Sequence, residues 1–226
     1  MPVYVASMNL RGSWAETPKD WRRLNVTSAQ RKESAERRCF SPMTEIEGGY
    51  KGFWCFENYW QSGKVFEDVP HSVSLKWWRD LKRPARRYPN SKGKRVLYSL
   101  FNGEKMDYIT ARRKVYLPEY LALIQGQGTA QIWRARADQG ETIVIYDFDG
   151  PRQSDHSPIC LEVSREMLRE RLNDPTHPFG HGYIVAGYMA RVINEPSDLT
   201  EAKSGSERDA LVETDALVEL DTLVET

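Results

Sequence analysis

The chain has 226 residues, 40% of them hydrophobic and 28% charged, which suits one soluble domain with a sizeable core. No run approaches the roughly 20 apolar residues of a membrane span, and MPVYVASMNL lacks both the basic start and the long apolar stretch of a secretory leader. Cys39, Cys55 and Cys160 stand apart without CxxC or zinc spacing, so a disulfide framework and a zinc module are excluded. Reduced thiols in a cytoplasmic or nuclear, non-secreted protein are expected. The zero net charge conceals a split. From Glu195 onward ten residues are acidic and two basic, which leaves 30 of the 32 basic and 22 of the 32 acidic residues in the first 194. The body is basic and the tail acidic.

In chain order, VYVASM predicts a short strand, and LNVTSAQ a second short element within a polar stretch, residues 15–40. FENYWQSGKVFE, residues 56–67, reads as a helix, and DVPHSVSLKWWRDLKR as another that Pro84 ends. Residues 107–124, DYITARRKVYLPEYLALI, are helical, with Pro118 in the first turn of a new helix. ETIVIYDFDG is the clearest strand, an apolar run closing in Asp-Gly. SREMLRERLND is an amphipathic helix begun by a serine, and PFGHGYIVAGYMARVI a glycine-rich turn entering a helix of small residues. Helices with a few short strands define an α+β class, mostly helical. Residues 195–226 carry few apolar residues and then the hexads DALVET, DALVEL and DTLVET, whose period fits no helix. That tail is expected to be mostly disordered, a partner-binding arm or an anion that masks the basic body.

Four stretches have the residue types for chemistry. On a helix, Glu57, Gln61 and Lys64 fall within an arc of roughly 60°. Such a stripe is either a solvated face or the wall of a site, with Trp60 beside it. KWWRDLKRPARRYPNSKGKR, residues 76–95, holds nine basic residues and one acidic, interleaved with Trp77, Trp78 and Tyr88. The mix suits an anionic partner with ring stacking, or a solvated basic loop. In YDFDGP, Asp147 and Asp149 end a strand two residues apart and point the same way, as ligand-holding carboxylates or simply as part of a tight turn. In HPFGHGY, Gly180 and Gly182 bracket His181 before a helix, where backbone N–H groups favour anions. P-loop, GxGxxG, nucleophile-elbow and HExxH signatures do not occur.

In this order, CFSPM (39–43), FENYWQSGKVFE, KVYLPEYLALIQGQG (114–128), VIYDFDGP and GHGYIVAGYMARV (180–192) resemble the NADAR family. That family includes N-glycosidases of riboflavin-pathway intermediates and hydrolases that remove ADP-ribose from guanine in nucleic acid. The chain departs from the pattern at Pro42, at DFDGP and in the last helix. The resemblance spans residues 39–194, with 1–38 as an N-terminal extension packing on that domain and 195–226 as the tail. It implies a NADAR-type fold and cleavage of a ribose C1–nitrogen bond. Glu57 would be the acid/base and Lys64, its pKa lowered among Trp60, Trp54 and Phe66, a Schiff-base nucleophile. Either Asp147 or Asp149 would hold ribose hydroxyls or serve as a second carboxylate. Trp60 and Gln61 would bind substrate, and Gly180, His181 and Gly182, with Arg86 or Arg87, its phosphate. No metal or cofactor is implied. The expected partner is an ADP-ribosyl or phosphoribosyl small molecule or a modified nucleic acid, with no membrane. A nucleotide- or nucleic-acid-binding module without turnover, using residues 76–95, is the alternative.

Overall fold

Strand β6 (Ile143–Asp147) lies between β1 (Val3–Ser7) and β2 (Arg22–Asn25), parallel to both, and β7 (Cys160–Glu162) closes the sheet antiparallel to β1, giving the order β2-β6-β1-β7. The computed structural model describes residues 2–8, 14–28 and 34–200. Every residue of β6 is buried, as expected of a parallel strand covered on both faces. Alternation divides its side chains. Ile143 and Ile145 enter the large core beneath the helices, while Val144 and Tyr146 enter a smaller one with Ala6, Met8 and Ala15. Asp147, next in the alternation, therefore points to the helical side.

The segment expected as an N-terminal extension supplies two of this sheet's four strands. Tyr146 also ties it down, its hydroxyl bonding Ala15 O at 2.7 Å and Thr17 Oγ1 at 2.8 Å.

A second sheet, antiparallel in the order β3-β4-β5, is formed by β3 (Lys64–Phe66), β4 (Val96–Phe101) and β5 (Glu104–Met106). Asn102 and Gly103, both at positive φ, make its hairpin turn. Around the sheets lie α1 (Ala35–Phe40), α2 (Phe56–Ser62), α3 (His71–Asp80), α4 (Tyr108–Ala111), α5 (Leu117–Gln125), α6 (Gly128–Asp138), α7 (Arg165–Asn173), α8 (His181–Met189) and α9 (Ser197–Thr200). The α+β class is as the sequence indicates.

Two expectations change, and a third, the helical run over 107–124 with Pro118 in the first turn of a new helix, holds with one added detail. The helix expected over 56–67 ends at Ser62. A Cβ at Gly63 would stand 2.2 Å from the Phe101 ring, so β4 crosses against this position, and Gly63 O accepts Leu100 N at 2.7 Å. Lys64 therefore begins a strand and shares no helical stripe with Glu57.

Between α4 and α5, Arg112–Tyr116 form a π-helical turn. Pro118 has no N–H to offer Lys114 O, and the ladder widens there, with Leu117 N bonding Arg112 O. Buried Arg112 carries this turn against the chain after α7, donating to Asp174 O at 2.7 Å and to His177 O.

Residues 197–200 belong to the folded unit rather than to a tail. Leu199 is buried, and Asp198 accepts Asn194 N at 2.8 Å. The hexads lie outside the described residues. Among the described residues no helix is long and apolar enough to cross a membrane. Cys39, Cys55 and Cys160 are free, and burial pushes all three thiols up, to between about 11 and about 12.

Because β1 is paired on both sides at the centre of the main sheet, a chain lacking residues 2–8 should lose cooperative unfolding altogether. Circular dichroism of the truncated protein during heating checks this. A sharp transition near that of the full chain would show the segment to be a dispensable extension.

Candidate active site

A cavity of about 260 Å³ opens where β2, α2, β6 and α8 converge. Asp147 forms its floor. The carboxylate is 2% exposed, accepts Gly182 N at 2.8 Å and lies 3.4 Å from His181 Nδ1. Gly180 and Gly182 are required here. A Cβ on either would come within 2.5 or 2.6 Å of the Asp147 side chain. His181 Nε2 lies 2.8 Å from Val26 O, and because a carbonyl only accepts, this nitrogen carries a proton.

The phosphate-binding role expected of Gly180, His181 and Gly182 thus meets an occupied site. The protein's own carboxylate fills the helix N-terminus, and both imidazole nitrogens face protein groups.

Glu57 and Gln61 come from α2. Gln61 Nε2 donates to Glu57 Oε1 at 2.7 Å, and Glu57 N donates to Pro42 O at 2.8 Å, which sets the helix against the 41–43 turn. Burial pushes the Glu57 carboxyl above its ordinary range, against the pull of the Gln61 bond and the charges of Lys64, His181 and Arg86.

Asp149 stands at the rim with water on one side. The protein around its carboxyl, and then neighbouring Asp147, raise its pKa to about 6. The open side lets water screen part of this effect.

Lys64, expected in the same wall as Glu57, does not line this cavity; it borders a neighbouring groove with Val96, Leu97 and Tyr108. Burial pushes its amine down. Glu57 opposes that shift, Arg87 adds to it, Asp149 opposes it, and Arg112 adds to it. The ammonium is 5.9 Å from the Trp60 ring and makes no direct ion pair among the described residues. The spacing of Glu57 and Lys64 along a helix was the wrong geometry, and no contact joins the two groups; each only shifts the other through its charge.

Of the remaining expected residues, Arg86 lines the cavity, its guanidinium 5.7 Å from the Phe148 ring. Its loop is pinned by buried Asn58, which donates to Arg83 O at 2.9 Å and accepts Ala85 N at 3.1 Å. Arg87 turns away from the wall, donating to Ser91 Oγ at 3.3 Å and Lys94 O at 3.2 Å. Trp60 is core, packed on Phe101 and Tyr116. Trp54 borders a different cleft with Arg37, Arg38 and Pro84. Trp78 and Tyr88 are buried as well, with Trp77 edge-on to both, so they present no stacking surface.

Sequence reading missed Thr27, Ser28, Ser41, Met43, Tyr116 and Phe148, all of which line the cavity. The first two come from the N-terminal segment, and no local pattern marks them. Pro118, two residues past Tyr116, was the visible sign of the π turn that carries it.

The arrangement is one of carboxyls biased toward the acid form, with an amine biased toward the base form and a guanidinium at the mouth. Among the described residues no three His, Cys, Asp or Glu side chains converge as a metal site. The cavity is polar and lies at the edge of the main sheet of an α+β domain. The chain belongs to a family of unknown function, DUF6939, whose model matches residues 24–159. The match includes Glu57, Lys64, Asp147 and Asp149 and stops short of α8 with His181. Neither the curated proteins nor the solved structures give a match.

The raised pKa of Asp149 has a consequence for stability. An acid whose pKa rises on folding contributes stability that is fully present below its unfolded value of 3.8 and is lost as pH rises through about 6. Relative to Asp149→Asn, the wild-type protein should therefore lose thermal stability across that window. Paired melting curves over a pH series test this, and parallel trends would contradict it.

Proposed function

We propose that the cavity hydrolyses the bond between a ribose C1 and a nitrogen, in an ADP-ribosyl or phosphoribosyl-amine substrate. The observation that carries this reading is the opposed bias of Glu57 and Lys64. The Glu57 carboxyl, held toward its acid form, lines the polar hollow, and Lys64, outside that lining, carries an amine held toward its base form within range of the Glu57 charge. The resemblance to the NADAR family supplies the reaction class. Such cleavage builds positive charge at C1 and must protonate the departing nitrogen. A protonated Glu57 gives that proton, and the resulting carboxylate then faces the sugar.

Lys64 is suited to the attack at C1. With the ribose ring opened to an iminium at C1, the neutral Lys64 amine adds to that carbon and the substrate nitrogen leaves with the proton from Glu57, giving an imine between Lys64 and the sugar. Water then adds back to release the sugar and the amine. Asp149 is the second working carboxyl, since Asp147 is committed to Gly182 N and His181. Arg86, held by Asn58, takes the phosphate. Glu57→Gln and Lys64→Ala should each lower turnover of ADP-ribosylated guanine DNA, or of a phosphoribosylamino-pyrimidine, by roughly 10²–10⁴-fold. Borohydride should trap a sugar adduct on the wild-type protein and none on Lys64→Ala. Full turnover in both variants, or none by the wild type on either substrate, would refute the reading.

A binding module without turnover is the second reading, favoured by the exposure of Lys82, Arg83, Arg86 and Arg87 on one loop. The burial of Trp78 and Tyr88 leaves it without the stacking rings it needs, so charge alone must carry it. On that reading, oligonucleotide affinity falls steeply with salt and Arg86→Glu with Arg87→Glu abolishes it, while Glu57→Gln leaves it intact. Filter binding across a salt series measures this, and a flat salt response would exclude it.

A further inference from the structure

The π-helical turn aims a polar group into the cavity that no described residue satisfies. Tyr116 is 6% exposed, its ring fixed against Trp60 at 4.9 Å, Phe56 at 5.6 Å and Tyr120 at 6.1 Å. It lines the cavity, yet its hydroxyl makes no hydrogen bond with a described residue. Burial raises its pKa well above the ordinary value, and Glu57, Tyr120, Asp147 and Asp149 add to the rise. The phenol thus stays protonated and lies among the site's carboxyls.

The hydroxyl is not sealed off: it opens to the cavity, so its partner there is solvent or a ligand. The hydrogen-bonding groups around this one are largely committed. Gln61 gives its amide hydrogen to Glu57, Gly182 gives its own to Asp147, and His181 Nε2 gives its own to Val26 O. What the wall still offers a ligand is the Arg86 guanidinium and the Ser28 and Ser41 hydroxyls, the carboxyl oxygens of Glu57 and Asp149, and the Tyr116 phenol, which gives one hydrogen. The complementary ligand carries several O–H donors and at least one oxygen that can only accept. A furanose, with its hydroxyls and ring ether, has that pattern.

We propose that Tyr116 is a substrate-contacting residue that donates its O–H to an acceptor oxygen of the sugar, while the sugar's hydroxyls donate to the carboxylates. The proposal rests on the ribosyl reading above and adds a residue that selects the ligand. A site built to hydrogen-bond one group discriminates strongly against losing it. Tyr116→Phe keeps the ring and its packing and removes only the donor.

Calorimetric titration of wild type and Tyr116→Phe with ribose 5-phosphate and with inorganic phosphate tests the proposal. The variant should bind ribose 5-phosphate about tenfold or more weakly and inorganic phosphate as the wild type does. Equal affinity of both proteins for the sugar phosphate overturns the role of Tyr116 and leaves the glycosidase reading standing. An equal loss for both ligands also overturns it, because it marks a structural defect. Failure of the wild type to bind ribose 5-phosphate at high concentration overturns both. Should the variant not fold, the wild-type protein with ¹³C-labelled tyrosine supplies the answer. The Tyr116 Cζ signal should move with ribose 5-phosphate and not with phosphate, and a signal unmoved by the sugar phosphate overturns the proposal.

Discussion

Asp147 accepts the Gly182 amide and faces the imidazole of His181, and this contact joins the end of the central strand to the start of α8. A carboxylate at a helix N-terminus is favoured by the unpaired amides and the aligned peptide dipoles. The approach is close enough that glycine alone is tolerated at positions 180 and 182. Val26 O then fixes the far side of the imidazole, which brings the segment after β2 to the cavity wall. The floor, one wall and the helix behind them are thus set by one buried anion. Because that anion is consumed in holding the site together, the neighbouring carboxyls, Glu57 and Asp149, are the ones left to act.

Those two carboxyls and Lys64 all sit where the fold disfavours their charged forms. Burial raises Glu57 and Asp149 and lowers Lys64. Direct pairing of the amine with either acid would relieve the conflict, and the structure does not make that pair. Packing for stability alone would favour a closed ion pair or apolar substitutes. Groups kept apart and biased toward the uncharged state are what the proposed proton transfer and nucleophilic attack require. The aromatic packing of Trp60, Phe56 and Tyr120 behind Tyr116 keeps the hollow's wall rigid.

The sequence reveals these features unevenly, for physical reasons. The apolar run of β6, the serine cap of α7 and the small-residue run of α8 each announce their element locally. The Asn102-Gly103 turn does too, and it is the signal for the β4–β5 hairpin that the reading passed over. The end of α2 at Ser62 was not legible, because it is set by Phe101, nearly forty residues away, pressing on Gly63. Trp78 and Tyr88 look like a stacking surface by spacing alone, and only the packing of α3 on the core shows them to be buried. Glu57, Gln61, Arg86, Asp147, Asp149 and His181 do meet at one cavity. Residue types marked the separate stretches and the family resemblance implied that they meet, whereas the roles of Gly180 and Gly182 depended on knowing which anion fills the turn.

The central claim is that this hollow receives a ribosyl group with its C1 between Glu57 and Lys64. A crystal structure of the protein soaked with ADP-ribose tests it most directly. The account predicts the ribose inside the cavity, C1 within contact distance of the Glu57 carboxyl and facing the Lys64 amine, with a phosphate on Arg86. Ligand density elsewhere on the surface, or a sugar seated with C1 turned to bulk solvent, would contradict it.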